Sequence, residues 1–367
     1  MRTQLFLIGG GHAHLTCISN IEKFKKRNAD VTLISPLPYH YYSGMGPGML
    51  GDIYSPQEIR FKIKEMVERS GARFVEDKVV KIDPIKQLLF LESGSNLNYD
   101  FLSINVGSKI YDNLVHSNSH IIPVKPIENL RKAKRAILDL DNKKDLNFCV
   151  IGGGAAGCEI AGNLWRLVNN YEINGNVTLI SDTEILATYP EKVRNLTLQS
   201  FQERGIIVNE NQEVEKIEDN VVFLDNGRSI LSNMSFLATG VQPNNIFGES
   251  GIPIDGEGAM IVNNHLQSIK YGNIFGGGDC INLKTKKLDK VGVYAVRENP
   301  ILFHNILSSL KGKELKKFKP QSKYLLILNL GEGKGIAWRG KLAFNGKLAF
   351  RLKNYIDSRF MKKFQIS

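Results

Sequence analysis

Two short glycine clusters carry the most specific chemistry in this 367-residue sequence. GGGHAH spans Gly9 to His14, and GGGAAG spans Gly152 to Gly157. Glycines spaced in this way let backbone N–H groups close on a pyrophosphate, with the start of the next helix facing the anion. Gly9 and Gly152 permit the tight turn, and Gly11 and Gly154 allow the close approach. Gly157 completes the second fingerprint, where the lack of a side chain lets helix and strand pack closely. His14 holds the matching position in the first cluster, so that helix must shift outward or the imidazole must fill the gap. The chemistry expected of such turns is dinucleotide binding, with hydride transfer as the reaction that two dinucleotides support.

The elements that must position these turns are legible around them. Gln4–Ile8 is an apolar strand, a helical pattern follows through Phe24, and ADVTLIS forms a second strand ending at Ser35. Downstream, NFCVI ends at Ile151, a helix runs to about Val168, and VTLIS ends at Ser181. One G-x-G-x-x-G is weak evidence, but two in a strand–turn–helix setting are specific. Neither unit has the acidic residue that usually binds the adenosine ribose. Ser35 and Ser181 stand there instead, with Asp182 one residue late, so the choice between NADH and NADPH stays open.

Composition narrows the class. Hydrophobic residues make up 42% and charged residues 23%, as in ordinary globular proteins. No run approaches the ~18 apolar residues of a membrane span. The apolar run at the N-terminus is too short for a signal peptide, so the chain is expected in the cytoplasm. The four cysteines lack C-x-x-C spacing and read as small buried hydrophobes, and the seven histidines do not cluster with carboxylates. No metal site is expected. A formal charge of +11 favours anionic partners without choosing among nucleotides, nucleic acid and an anionic membrane.

Three further stretches complete a pattern: YDFLSINVGS from Tyr99, SFLATGVQPN from Ser235 and GNIFGGGD ending at Asp279. With the two fingerprints, in this order, they resemble the two-dinucleotide-domain flavoproteins of the pyridine nucleotide–disulfide oxidoreductase superfamily. Within it the chain is similar to type II NADH dehydrogenases and to the flavoprotein domain that some organisms fuse to selenophosphate synthetase. GGGHAH, LISPLPYHYYSGMGPGML, KVGVYAVRENPIL and RLKNYIDSRFMKKF carry that closer likeness.

The resemblance implies an α/β fold of two nested Rossmann-like domains plus a short C-terminal α+β segment. Residues 1–112 and 244–316 would bind FAD, 113–243 would bind NADH or NADPH as co-substrate, and 317–367 would dock on a membrane or a second subunit. Gly9, Gly10, Gly11 and His12 would line the FAD pyrophosphate, Ser35 would face the ribose, and Val79 would lie against adenine. Gly107 would approach the flavin, and Asp279 would bind the ribityl chain. A helix starting at Val291 and Gly292 would aim its N–H groups at the flavin N1–C2 edge. In the second unit, Gly152, Gly154, Ala155 and Gly157 would hold the nicotinamide nucleotide, with Ser181 and Asp182 at its ribose. Gly240 would make room for the nicotinamide. Glu159 would bond its amide, as the catalytic carboxylate.

The acceptor is the open half of the reaction. Disulfide reductases of this superfamily place two cysteines near the stretch PLPYHYYSGMGPGML, which has none. That leaves a non-thiol acceptor, with a quinone first, reached through a Gly/Met/Tyr loop of mobile backbone at Tyr39, Tyr41, Tyr42 and Met45. The AQxAxQQ pattern of type II dehydrogenases is replaced by VGVYAVREN, placing Arg297 and Glu298 where quinone-site glutamines would be. Alternatives are a selenium or sulfur compound, or redox-governed binding of nucleic acid. After two strand-like runs, YLLILNL and GIAWRGKLAFNG, a helix is expected from about Lys347. Leu348, Leu352, Tyr355, Ile356 and Phe360 fall on one side, and Lys353, Arg359, Lys362 and Lys363 add charge. Such a helix suits either the inner face of an anionic membrane or a homodimer.

Overall fold

Largely apolar runs of four to seven residues, two of them leading straight into the glycine turns, become the central strands of two parallel sheets. The computed structural model describes residues 1–112, 115–116, 120–140, 143–244, 246–321, 323–340 and 342–365. The expected boundary between residues 112 and 113, and the last two residues of the chain, touch positions outside that set.

The first sheet has the order Ile274–Gly276, Phe101–Ile104, Thr3–Ile8, Ala29–Ser35, Arg73–Glu76, every pair parallel. The second has the order Ile121–Pro123, Met234–Leu237, Leu146–Ile151, Gly175–Ile180, Ile207–Asn209, again parallel throughout. Both are buried on two faces: Leu5, Leu7, Leu33, Leu102, Val150, Leu179 and Phe236 are fully inaccessible. Each sheet carries an antiparallel flap, Val79–Asp83 with Leu88–Leu91 and Asn96–Asn98, and Val214–Glu218 with Val221–Leu224 and Ser229–Leu231, the second flap gaining a fourth strand, Val115–His116, that pairs in parallel with Val214–Glu218. The repeat extends to a bulge at the matching place, Val79/Lys81 and Val214/Lys216. Ile274–Gly276 returns to the first sheet only after the chain has built the second, so one unit is nested in the other. The crossings are tied by an antiparallel pair, Ser108–Ile110 with Val241–Pro243.

The two glycine turns are held by the same backbone bonds. Gly9 N–H donates to Ile34 O at 2.8 Å and Gly152 N–H to Ile180 O at 2.8 Å. A Cβ placed on Gly9 would lie 2.3 Å from the Asn105 carbonyl oxygen, and one on Gly152 would lie 2.3 Å from that of Ala238. Both also take positive φ, +82° and +117°. His14 resolves the question of the missing third glycine. Its ring is fully buried, with Nδ1 2.6 Å from Gly9 O and Nε2 2.8 Å from Ser103 Oγ. The imidazole fills the gap and pins the turn to the neighbouring strand. The helical pattern through Phe24 is two short helices, Leu15–Ser19 and Ile21–Lys25, broken at Asn20.

The C-terminal segment differs from expectation in two ways. GIAWRGKLAFNG is itself a hairpin, giving three antiparallel strands, Leu326–Asn329, Gly335–Arg339 and Leu342–Gly346. The helix Lys347–Phe364 then packs inward with Ala349, Lys353, Asp357, Met361 and Phe364. Lys353 therefore supplies no surface charge, and Phe360 turns inward to contact Tyr42, Phe61 and Phe364. Leu348, Leu352, Tyr355 and Ile356 remain exposed. Among the described residues no helix is long and apolar enough to cross a membrane.

Gly157 gives the sharpest packing test, because a Cβ there would stand 1.8 Å from Gly152 O. Gly157→Ala should force helix Ala155–Asn170 off its strand and cost about 1–3 kcal/mol. Thermal unfolding checks this, and a midpoint equal to the parent's would contradict it.

Candidate active site

A cavity of about 1580 Å³ runs between the two sheets and reaches both glycine turns. Every residue expected to touch either nucleotide lines it, except Gly157, which lies behind the second turn. That volume exceeds an ordinary small-molecule pocket of roughly 300–1,000 Å³ and suits two extended ligands laid end to end.

At the first turn a Cβ on Gly11 would stand 2.2 Å from Asn105 Oδ1. Asn105 donates through Nδ2 to Gly277 O at 2.6 Å, and its buried Oδ1 has no protein partner. A cradle closed to side chains, with an unanswered polar atom beside it, fits a dinucleotide pyrophosphate with its ordered water. His12 lines the same wall. Its Nδ1 is 3.2 Å from His40 Nε2, its own Nε2 is buried without a partner, and burial, then Lys125, push its pKa down to about 4. Ser35 lines the cavity too, and its hydroxyl donates to Leu37 O at 3.1 Å. Helix Gly292–Ser309 begins at the cavity, so its partial positive charge falls where the flavin would lie.

Asp279 lies in the turn Gly278–Cys280, which packs against that helix. Burial would raise its pKa, but Lys125, Ser108 and Lys290 outweigh this and hold the carboxyl below its usual range. Lys125, which carried no sequence signal, lies 2.9 Å from Asp279 Oδ2.

The second turn differs in its charges. Ser181 Oγ is buried without a partner, and a Cβ on Gly153 would meet it at 2.2 Å. Among the described residues lining this end, Asp182, Glu184 and Glu213 carry charge. The nearby Arg194 is occupied, with Glu210 at 2.7 Å and Glu184 at 3.5 Å.

Where the two ends meet, the structure assembles a buried polar group that sequence reasoning found only in part. Glu159 Oε1 accepts the Asn329 N–H at 2.7 Å. Burial raises its pKa to about 7, with Lys353 and the Asn329 N–H opposing and Asp357 adding to the rise. Lys353 donates to Gly44 O at 2.7 Å and to Asp357 Oδ2 at 2.9 Å, and Tyr42 donates to Asp357 Oδ1 at 3.0 Å. Burial alone would lower the Lys353 pKa, but Asp357 and Glu159 hold it above its usual range. The Gly/Met/Tyr stretch is thus not an open loop. Ser43–Met45 and the buried helix Gly46–Leu50 form a packed turn tied to the C-terminal helix.

Arg297 and Glu298 do not face a common site. Arg297 is exposed, while Glu298 is fully buried and accepts the Gly278 N–H at 2.5 Å. All four cysteines are buried and none lines the cavity. Burial raises each thiol's pKa, Cys149 to about 11 and Cys280 to about 12, so none is a thiolate at neutral pH. Among the described residues no group of three His, Cys, Asp or Glu side chains could hold a metal.

The family model for pyridine nucleotide-disulphide oxidoreductases matches residues 3–300. The chain belongs to that family. It is an oxidoreductase that uses FAD and a nicotinamide dinucleotide. One relative is ferroptosis suppressor protein 1 of Taeniopygia guttata, 28% identical over 72% of this chain and 71% of its own length. Another is the type II NADH:quinone oxidoreductase of Staphylococcus saprophyticus, 22% identical over 99% of this chain and 96% of its own. Among solved structures, NDH2 from Plasmodium falciparum in complex with NADH superposes with a TM-score of 0.83 at 16% identity. That match covers 99% of this chain and 98% of NDH2, which establishes a common fold.

Glu298 gives a pH test. Burial raises its pKa from 4.5 to about 8, against the Gly278 N–H. The folded state therefore keeps a proton that the unfolded chain releases, so stability is greatest at low pH and declines as pH rises through about 8. Glu298→Gln should raise the thermal midpoint more at pH 8 than at pH 5. Equal shifts at both would refute the assignment.

Proposed function

We propose that this protein oxidises NADH and passes the electrons to a quinone at an anionic membrane surface. One observation carries the reading: the cavity joins both dinucleotide turns, and where a disulfide reductase would need a dithiol it is lined by Ser43, Gly44 and Glu159, with the Lys353–Asp357 pair bonded behind Gly44. Gly9, Gly10, Gly11 and Asp279 would hold FAD, which would supply the two-electron redox chemistry that links the nicotinamide to the acceptor.

The chain's own residues would orient the two rings, exclude water and handle protons. Gly240 and Glu159 line the region where the nicotinamide would stack, and Glu159 would bond its amide. Reducing a quinone to a quinol consumes one proton more than hydride supplies. Glu159, with a pKa of about 7, is half-protonated near neutrality and suits that task. The Lys353–Asp357–Tyr42 set would keep the site polar yet closed, since every charge in it has a partner.

NADH over NADPH is favoured by the ribose end of the second unit. A 2′-phosphate there would meet Asp182, Glu184 and Glu213, while Arg194 is already held by Glu210. Membrane docking is favoured by the C-terminal helix. Leu348, Leu352, Tyr355 and Ile356 form an exposed stripe beside Phe344 and Leu342, which is 80% exposed. Lys347, Arg351, Arg359, Lys362 and Lys363 lie on or beside the same side, so a second copy facing it would bring like charges together. Anionic lipid would not.

Purified protein should be yellow with one FAD. It should turn over NADH at least tenfold faster than NADPH, measured as kcat/KM, and reduce quinones with all four cysteines replaced. Turnover with quinones, ferricyanide, oxygen and disulfides in parallel identifies the acceptor. Activity confined to disulfides would refute the proposal. Asp279→Ala should weaken FAD retention, read as flavin lost on gel filtration. Leu348→Glu with Leu352→Glu should abolish co-flotation with anionic liposomes while flavin reduction by NADH persists. If instead sedimentation shows a dimer dissociating and flotation is unchanged, the stripe is a subunit contact.

A further inference from the structure

Lys125 belongs to neither glycine cluster. It follows the edge strand Ile121–Pro123 of the second sheet, where Val124 N–H still donates to Leu237 O, and then crosses to the FAD-side wall. There its Nζ lies 2.9 Å from Asp279 Oδ2 and 3.0 Å from Ser108 Oγ. Ser108 donates to the same Asp279 oxygen at 2.8 Å. Both donors converge on Oδ2, and no described protein donor reaches Oδ1. The lysine and aspartate side chains are only 26% and 16% exposed, and both line the cavity beside the start of helix Gly292–Ser309.

A charge pair taken this far out of water contributes little or nothing to stability, because desolvation offsets the attraction. Its position suggests another use. Asp279 places a negative charge against a cofactor that gains negative charge on reduction, and alone it would oppose that reduction. Lys125 cancels the charge without removing the acceptor oxygen. The lysine comes from the nicotinamide-binding unit, so the FAD site is completed by a residue from outside the FAD-binding segments.

We propose that Lys125 is a positioning residue of the FAD site, fixing the Asp279 carboxylate with one oxygen left for ribityl hydroxyls and offsetting its charge so that the reduced flavin is favoured. This rests on the reading that FAD occupies the first-turn end of the cavity. Neutralisation by Lys125 and the positive end of helix Gly292–Ser309 would then act in the same direction.

The test compares wild type, Lys125→Gln and Lys125→Arg as holoenzymes. Gln keeps an amide donor, one bond nearer the backbone than the ammonium, and carries no charge. The Gln variant should bind FAD one to one and show a reduced-to-oxidised flavin ratio lowered about tenfold at a fixed potential. For a two-electron couple that is a downward shift of about 30 mV. Arg should restore the wild-type potential. A Gln variant that holds FAD at an unchanged potential overturns the proposal. So does one that melts like wild type yet cannot be loaded with FAD, since Lys125 would then serve binding alone. A wild type that takes up no flavin would instead overturn the reading of the cavity, whatever the variants do.

Discussion

No side chain can occupy a point 2.3 Å from a carbonyl oxygen, and this exclusion at Gly9 and Gly152 shapes the molecule. The strand-to-helix turn must pass that close to the neighbouring strand, at Asn105 in one unit and Ala238 in the other. Only then can the N-terminus of the following helix face the cavity between the sheets. The same backbone bonds fix the turn twice, from Gly9 to Ile34 and from Gly152 to Ile180. Two copies of one constraint, facing a shared space, produce a site for two dinucleotides. The copies then diverge in charge. Lysines approach the cavity near Asp279, and carboxylates line the ribose end of the second unit.

What the sequence revealed follows from the range of the interactions involved. The glycine turns, the strands leading into them and the helix at Val291 are set by neighbours a few positions away, so spacing and periodicity disclose them. The polar group at the centre is not local. Tyr42 meets Asp357 across 315 positions, Glu159 meets Asn329 across 170, and Lys125 meets Asp279 across 154. Nothing in the residue pattern around Lys125 or Asn329 distinguishes them from surface residues. Lys353 and Asp357 carry a faint signal, an i,i+4 ion pair opposite an apolar stripe, but such pairs usually sit on the outside of a helix.

The C-terminal helix reverses the usual relation between periodicity and burial. Apolar residues at helical spacing normally mark the buried face. Here Leu348, Leu352, Tyr355 and Ile356 are exposed, while Lys353 and Asp357 are buried. The inversion holds because the buried ions satisfy each other, with Gly44 O and the Tyr42 hydroxyl taking up further valences. His14 shows the same principle on a smaller scale. An imidazole in a glycine position costs little when both ring nitrogens find partners.

That helix joins two surfaces through one rigid cylinder. The face that carries Lys353 to Gly44 and the face that exposes Leu348 and Tyr355 are set at a fixed angle by the number of residues per turn. Inserting or deleting one residue between them would rotate one face against the other by about 100°. Lys353 and the exposed stripe would then no longer meet their respective surroundings together. The length of Lys347–Phe364 is therefore held more tightly than the identity of its exposed residues, and gaps among relatives should fall outside it.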